Sequence, residues 1–313
     1  MNDVTLSAAA EVPELPRSRS LSRAAALYSE LTKPRITFMV LVTAAAGFVL
    51  AHGAAAAAGA GFRWALLLHA LAGTGLVAAS GSCLNMVMER EHDGRMRRTA
   101  ARPLPAGALD PDRALAFGVA LGVAGLLWLA VGTNLLTAVL GAATLAAYVF
   151  LYTPMKRVSS LATVVGAAPG AMPPVMGWAT YTGELGPGAW ALFGILFFWQ
   201  LPHFLAIAWM YRADYARAGF PMLPVVEPDG ASTARQAILW AAALVPLSLL
   251  PAALGLAGWV YAALALVLGL GYLAASVGFG RARTAPTARR LLLASVLYLP
   301  GILGALLADR LIG

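Results

Sequence analysis

Residues 64–93 read WALLLHALAGTGLVAASGSCLNMVMEREHD. The segment from Trp64 to Met88 is almost entirely apolar, and it is longer than the ~20 residues that a helix needs to cross ~30 Å of hydrocarbon. Every residue from Glu89 to Asp93 is charged or titratable. This abrupt change predicts a membrane-spanning helix that ends at a polar surface.

The composition of the whole chain is typical of a membrane protein. Of the 313 residues, 60% are hydrophobic and 12% are charged, and the mean hydropathy is +0.76. Soluble domains carry about 25% charged residues, so the chain lacks the charge that an ordinary water-facing surface requires. The single Cys83 lies in an apolar stretch and is interpreted as a small core thiol.

Hydropathy predicts an all-α integral membrane protein with nine transmembrane helices. Residues 1–30 are predicted to be a disordered cytoplasmic tail, with an amphipathic turn from Ala24 to Lys33 on the membrane surface, and residues 31–313 to form the membrane domain. The predicted spans are Ile36–His52, Trp64–Met88, Ala114–Val131, Leu135–Tyr152, Leu161–Tyr181, Ala189–Tyr211, Ala237–Leu256, Trp259–Val277 and Leu291–Ala308.

The basic residues predict the orientation, because Lys and Arg concentrate in cytoplasmic loops. With nine spans, all but Arg63 and Arg310 of the 22 Lys and Arg residues fall on one side. We therefore expect a cytoplasmic N-terminus and an external C-terminus in the inner membrane of a bacterium. The basic residues at the predicted cytoplasmic helix ends also account for the net charge of +8, so no nucleic-acid partner is needed to explain it.

The fifth predicted span is rich in helix-breaking residues, with Gly166, Pro169, Gly170, Pro173 and Pro174 close together. A membrane segment of this kind is expected to be kinked or unwound, which is tolerated only where it packs in protein or lines a cavity. We predict a binding cavity beside it. A proline kink that serves packing alone is the alternative.

Asn85, Glu89 and Asp93 recur every fourth residue, so a helix places them on one face. Their oxygens are hard ligands, and the basic residues that follow could bind phosphate, a pairing that suits a divalent cation and a phosphorylated substrate. The alternative is an amphipathic helix end with solvated charges. Glu91 falls on another face and is interpreted as one such charge.

Other polar groups lie near the same membrane side. Lys156 and Arg157 could neutralise phosphate oxygens or simply anchor the fourth span. Gln200 and His203 lie inside an apolar span, where polar residues are functional candidates, although a buried His is more often a core residue. Asp214 follows in the next loop and could supply a second acidic site.

These residues resemble the UbiA-type membrane prenyltransferases, and look most like the haem O synthases (protohaem IX farnesyltransferases) among them. The resemblance covers residues 30–226. It is carried by Asn85-x-x-x-Glu89-x-x-x-Asp93, Arg98-Thr99-x-x-Arg102-Pro103-Leu104-Pro105-x-Gly107, Thr32-Lys33-Pro34-Arg35, Tyr152-Thr153 through Lys156-Arg157, Gly170-Ala171-Met172-Pro173-Pro174 through Gly177-Trp178, Trp199-Gln200-x-Pro202-His203-Phe204, and Asp214-Tyr215 with Pro221-Met222-Leu223-Pro224.

The resemblance implies a UbiA-like fold in which helices enclose a central cavity under cytoplasmic cap loops. It implies transfer of the farnesyl group of farnesyl diphosphate to the 2-vinyl group of haem B, giving haem O. Mg²⁺ would assist the loss of diphosphate, the vinyl carbon would attack the allylic cation, and water would quench the second cation. Hand-over of the product to a haem A synthase or a terminal oxidase is left open.

The resemblance also implies roles for individual residues. The implied metal and catalytic residues are Asn85, Glu89, Asp93 and Asp214. The implied substrate-binding residues are Arg35, Arg98, Arg102, Tyr152, Lys156, Arg157, Gln200, His203, Tyr211 and Arg212, of which His203 and Gln200 would face the porphyrin.

Two other function classes compete with this interpretation. A prenyltransferase of a quinone pathway would share the diphosphate site but accept a hydroxylated aromatic acid; the segments 170–178 and 199–204 favour haem. A transporter would be expected to carry charges near mid-span or an inverted repeat, and the sequence has neither. A purely structural assembly protein gives no reason for the Asn85, Glu89 and Asp93 face.

Overall fold

The protein was examined as a computed structural model, which describes residues 17–56, 59 and 61–312, and the side chains of 23–54, 59 and 61–309. The described residues are helical apart from short connections. The helices are α1 (Arg17–Leu31), α2 (Pro34–Ala56), α3 (Trp64–Gly94), α4 (Pro111–Gly132), α5 (Leu135–Ala146), α6 (Thr153–Met155), α7 (Ala162–Thr182), α8 (Pro187–Met210), α9 (Arg212–Ala218), α10 (Leu223–Val226), α11 (Ala231–Ser248), α12 (Leu250–Ala253), α13 (Trp259–Ala282) and α14 (Ala285–Ile312).

Eight helices of the described chain are long and apolar enough to cross a membrane. The predicted fifth span is the exception: it corresponds to α7, whose 21 residues include three Gly and three Pro. The count of nine therefore stays a prediction, whereas the all-helical membrane fold is confirmed. Many large side chains face outward, such as Val131, which is 88% exposed, and Trp259, which is 81% exposed, as expected of a surface that lies in lipid.

The described part of the N-terminal segment begins at Arg17. The first part of the predicted disordered tail, residues 1–16, lies outside the described residues, as do the side chains of Arg17, Arg19 and Arg310. From Arg17 onward the chain is helical, and α1 is longer than the amphipathic turn predicted from Ala24 to Lys33. Leu31 is fully buried against α3 and α4 beside Cys83, which confirms Cys83 as a core thiol. The division into tail and membrane domain stays a prediction.

Of the two expected forms of the fifth span, kinked or unwound, a kink stays a prediction, whereas the unwound one is wrong, because α7 is continuous from Ala162 to Thr182. Its glycines instead allow α2 and α7 to cross at backbone contact. A Cβ added at Gly177 would overlap the carbonyl oxygen of Ala44, and one added at Gly47 would overlap that of Pro174. Because Gly47 and Gly177 carry no side chain, the backbones of α2 and α7 pack directly against each other, as is common at membrane helix interfaces.

A cavity of about 280 Å³ lies beside α7, as predicted, between α2, α3, α5, α7 and α8. The chain between α5 and α6, Ala147–Tyr152, forms a π-helical turn, a feature often found at functional sites. This turn brings both Tyr148 and Tyr152 to the cavity wall, and the Thr153 hydroxyl donates to the Tyr148 carbonyl at 2.8 Å. Sequence patterns did not predict this turn.

Replacing Gly177 by Ala should destabilise the protein by roughly 1–3 kcal/mol, because the added methyl group overpacks a backbone contact. The matched control is Gly271→Ala in α13, where the added Cβ has no neighbour within 4 Å and a helical Ala is favourable. Thermal unfolding in detergent measures both variants. Equal unfolding midpoints would show that the α2–α7 contact is not tight.

Candidate active site

Three polar side chains of α3 are buried where the helix reaches the polar end of the bundle. Asn85, Glu89 and Asp93 are 3%, 2% and 1% exposed. The face of α3 that carries Cys83, Met86 and Val87 is apolar and packs against the cluster containing Leu31, Leu104 and Ala114. A solvated helix end is therefore wrong for Glu89 and Asp93, whereas the Glu91 side chain is 72% exposed, as predicted.

Both buried carboxylates are held by cations from the neighbouring connections. Lys156 Nζ lies 2.8 Å from Glu89 Oε1 and 2.9 Å from Oε2, and Arg102 donates to Asp93 Oδ2 at 2.7 Å. Buried carboxylates are costly unless paired in this way. The pairs join α3 to the segments that follow α3 and α6, so they also fix the ends of these elements.

A third cation, Lys33, completes this cluster. Its Nζ donates to Asn85 Oδ1 at 3.3 Å, and Asn85 Nδ2 donates to Thr153 Oγ1 at 3.1 Å. Burial, followed by the nearby Arg102 charge, lowers the pKa of Lys33 to about 8. Three cations surround two carboxylates, so the cluster is short of negative charge and favours an anionic ligand.

The donor set fits a divalent cation only together with a substrate. Within the described part of the chain, no group of three or more His, Cys, Asp and Glu side chains is placed to hold a metal. Glu89 Oε1 is, however, buried without a hydrogen bond, since the Lys156 contact to it has ion-pair distance but not hydrogen-bond geometry. Mg²⁺ binds through one or two carboxylates plus substrate phosphates, which matches Glu89, Asp93 and the Asn85 amide.

Arg98 and the segment after α8 lie above this cluster. The Arg98 guanidinium lies over the rings of Tyr211 and Tyr215, at 5.1 and 5.9 Å from their centroids. Phe220 is fully buried, 4.9 Å from Lys156 Nζ and stacked on His92. Residues 211–222 thus form an aromatic cover, with Tyr211 and Tyr215 against Arg98 and Phe220 against Lys156.

The remaining predicted cations and Asp214 have other partners. Asp214 pairs with Arg217 on its own helix, and Arg212 donates to the Trp209 carbonyl at 3.0 Å. Arg157 donates to the Met88 carbonyl, while Arg35 is exposed. The structure therefore groups Asn85, Glu89, Asp93, Arg102 and Lys156, and adds Lys33 in place of Arg35.

Gln200 and His203 of α8 contact different neighbouring helices. Gln200 lines the cavity together with Tyr152 and Phe204. His203 is not among the lining residues, and its Nδ1 lies 2.7 Å from Ser295 Oγ on α14. In this conformation only Gln200 faces the cavity.

Sequence reasoning missed Lys33 and Phe220. The Thr32-Lys33-Pro34-Arg35 block contains both cations, but a sequence pattern does not show which side chain of a connecting segment turns toward a site. Lys33 has a left-handed backbone with φ 47°, unusual for a residue with a Cβ, and it lies at the junction of α1 and α2. No periodic signal marks Phe220.

Comparison with known proteins assigns the family. The model of the UbiA prenyltransferase family matches residues 36–298. A curated protoheme IX farnesyltransferase of Solibacter usitatus is 52% identical over 292 residues, covering 90% of this chain and 98% of that protein.

Solved structures agree on the fold. A digeranylgeranylglyceryl phosphate synthase structure superposes with a TM-score of 0.77 at 16% identity, covering 92% of this chain and 99% of the other. A UbiA homologue from Archaeoglobus fulgidus, bound to GPP and Mg²⁺, gives 0.61 at 15% identity, covering 90% and 99%. The chain belongs to the UbiA prenyltransferase family, and several curated proteins that are similar to it over most of its length are protoheme IX farnesyltransferases.

Proposed function

We propose that this membrane enzyme transfers the farnesyl group of farnesyl diphosphate to the 2-vinyl group of haem B, giving haem O and diphosphate. The observation that carries the proposal is the buried cluster of two carboxylates and three cations, whose Lys156 lies 5.5 Å from the ring of Tyr152, a residue that lines an apolar cavity. The curated relatives named protoheme IX farnesyltransferase support haem as the acceptor.

We further propose that Glu89, Asp93 and Asn85 hold Mg²⁺ against the diphosphate. When bound, the metal stabilises the negative charge that develops on the leaving diphosphate. Lys156 and Arg102 then exchange their carboxylate partners for phosphate oxygens, and Lys33 adds a third contact. Arg98, which lies over the rings of Tyr211 and Tyr215, contacts the diphosphate from the side of the aromatic cover. Asp214 and Arg212 are proposed as cover residues, and Arg157 as an anchor for the end of α3.

The cavity below the cluster suits the prenyl chain. Its wall is formed largely by apolar side chains and glycines, with the rings of Tyr148 and Tyr152 near the cluster. Such a wall excludes water from the allylic cation, and aromatic faces attract positive charge. The vinyl group of haem B would meet the farnesyl carbon at the upper end of this cavity, near Gln200 and Phe204.

The cellular setting is part of the proposal. The basic helix ends support an inner-membrane protein with the active site and the N-terminus on the cytoplasmic side and the C-terminus outside. Both substrates then reach the site from the bilayer or its surface. The modified haem would pass to a haem A synthase or a terminal oxidase pathway.

Membranes that contain the protein should convert haem B, farnesyl diphosphate and Mg²⁺ into a more hydrophobic haem, measured by chromatography and mass spectrometry of the extracted haems. Chelation of Mg²⁺ should stop the conversion. Prenylation of 4-hydroxybenzoate in place of haem would instead assign the chain to a quinone pathway.

Glu89→Gln and Asp93→Asn should each lower turnover at least ~100-fold, since a metal-stabilised leaving group accounts for several kcal/mol and each ~1.4 kcal/mol is tenfold. Both proteins should still insert in the membrane. Glu91→Gln, which changes an exposed carboxylate of the same helix turn, is the control and should keep its activity. Near-normal turnover of both buried variants would remove the metal role.

Lys33→Met should raise the KM for farnesyl diphosphate by about tenfold or more, because a charge-assisted hydrogen bond to phosphate is lost. Arg35→Met, two residues away and exposed, should change it little. Steady-state kinetics at saturating haem separates the two variants. The reverse order of effects would place Arg35, not Lys33, on the diphosphate.

A further inference from the structure

A groove of about 380 Å³ lies between α11 and α13, where α11 begins and α13 ends. It shares no lining residue with the central cavity. Five of its seven lining residues are Ala, Ile, Leu or Gly, and the other two are Arg235 and Arg283. Both arginines are exposed, and Leu239 on the same wall is 59% exposed, so the groove opens to the outside of the bundle.

The groove changes from charged to apolar with depth. Leu239 lies one helical turn after Arg235 on α11, and Gly280 lies about one turn before Arg283 on α13. Since α11 runs into the bundle from this end and α13 runs back to it, both arginines lie near the helix ends, whereas Ile238, Leu239 and Gly280 lie deeper. The wall thus places two guanidinium groups above an apolar channel.

The absence of a side chain at Gly280 keeps the deeper part of the groove open. A Cβ added there would lie 2.7 Å from Ile238 Cδ1 and 3.8 Å from the Cβ of Ala234. A larger residue at this position would therefore project into the groove and push against the Ile238 side chain.

Neither arginine of the groove forms an ion pair with a carboxylate of the described residues. Arg235 donates to Ser232 Oγ at 3.0 Å, and Arg283 donates to the backbone carbonyl of Asp229 at 3.2 Å. The Asp229 carboxylate instead accepts from the Ala231 N–H at 3.3 Å. Because a guanidinium carries five N–H donors, both arginines keep donors for an anion.

The backbone of Arg283 gives a second, independent indication of a site. Arg283 ends α13 with φ 49° and ψ 43°, a left-handed conformation that favours Gly. Lys33 of the active-site cluster is the other non-glycine residue of the described chain with a positive φ. Backbone conformations of this kind cluster at ligand-binding positions.

We propose that this groove binds one anionic phospholipid of the surrounding bilayer, with the phosphate between Arg235 and Arg283 and an acyl chain along Ile238 and Leu239. The change from charge to apolar surface matches a molecule whose head group lies at the membrane surface and whose chains lie in hydrocarbon. Basic pockets between membrane helices bind head groups in this way. Free phosphate would leave the apolar part of the groove uncovered. The inference does not depend on the proposed function, because groove and cavity are separate.

The test is native mass spectrometry of the full-length protein in detergent, titrated with dioleoyl phosphatidylglycerol or dioleoyl phosphatidylcholine. The wild type should bind one phosphatidylglycerol at least about tenfold more tightly than phosphatidylcholine, and Arg235→Gln/Arg283→Gln should remove this preference, because both phosphate contacts are lost. Arg289→Gln/Arg290→Gln is the matched control. It lowers the net charge equally at exposed positions of α14 and should keep the preference.

Gly280→Leu tests the apolar part of the groove while both arginines remain. It should weaken phosphatidylglycerol binding about tenfold, whereas Gly278→Leu, where an added Cβ has no neighbour within 4 Å, should bind as the wild type does.

Equal binding of the two lipids by the wild type, or equal losses in the two double arginine variants, overturns the inference. Displacement of the lipid by glycerol 1-phosphate, with no effect of Gly280→Leu, would show an anion site without a lipid and overturns it as well.

Discussion

Two buried ion pairs organise the polar end of the helix bundle. Glu89–Lys156 and Asp93–Arg102 join α3 to the chain that follows α6 and to the loop before α4. Pairs of this kind seldom add net stability, because desolvation offsets the attraction. We propose that these pairs serve an exchange of partners: each cation holds a carboxylate until a diphosphate and a metal replace both partners.

The rest of the fold positions this cluster over a cavity. Close backbone crossing of α2 and α7 holds one wall together, and the π-helical turn brings two tyrosines onto another. None of the described residues that line the cavity is charged, and its wall offers mainly apolar surface with a few hydroxyl groups and the Gln200 amide. This separation matches a reaction in which an anionic group leaves at the surface while a cation is consumed inside a dry cavity.

Much of this arrangement was readable from the sequence. Long apolar runs give the membrane fold, and the four-residue spacing of Asn85, Glu89 and Asp93 places them on one face. The spacing could not show that Lys33 reaches the cluster and that Arg35 does not, since a left-handed junction residue sets that direction. Likewise, the glycines and prolines of α7 predicted a kinked or unwound segment, whereas the helix is continuous and packs closely on α2 through Gly47 and Gly177. His203, grouped with Gln200 by sequence, hydrogen-bonds Ser295 on α14 instead.

The central claim is that the carboxylates change partners when substrate binds, which couples metal and diphosphate binding. The direct measurement is the affinity of Mn²⁺, as a probe for Mg²⁺, determined by electron paramagnetic resonance with the protein in lipid nanodiscs. It is taken with and without a farnesyl thiodiphosphate analogue that does not ionise. The account predicts that Mn²⁺ binds weakly to the protein alone and at least ~10-fold more tightly when the analogue is present. The Mn²⁺ that the analogue binds by itself in solution is subtracted. Equal affinity in both states would contradict it.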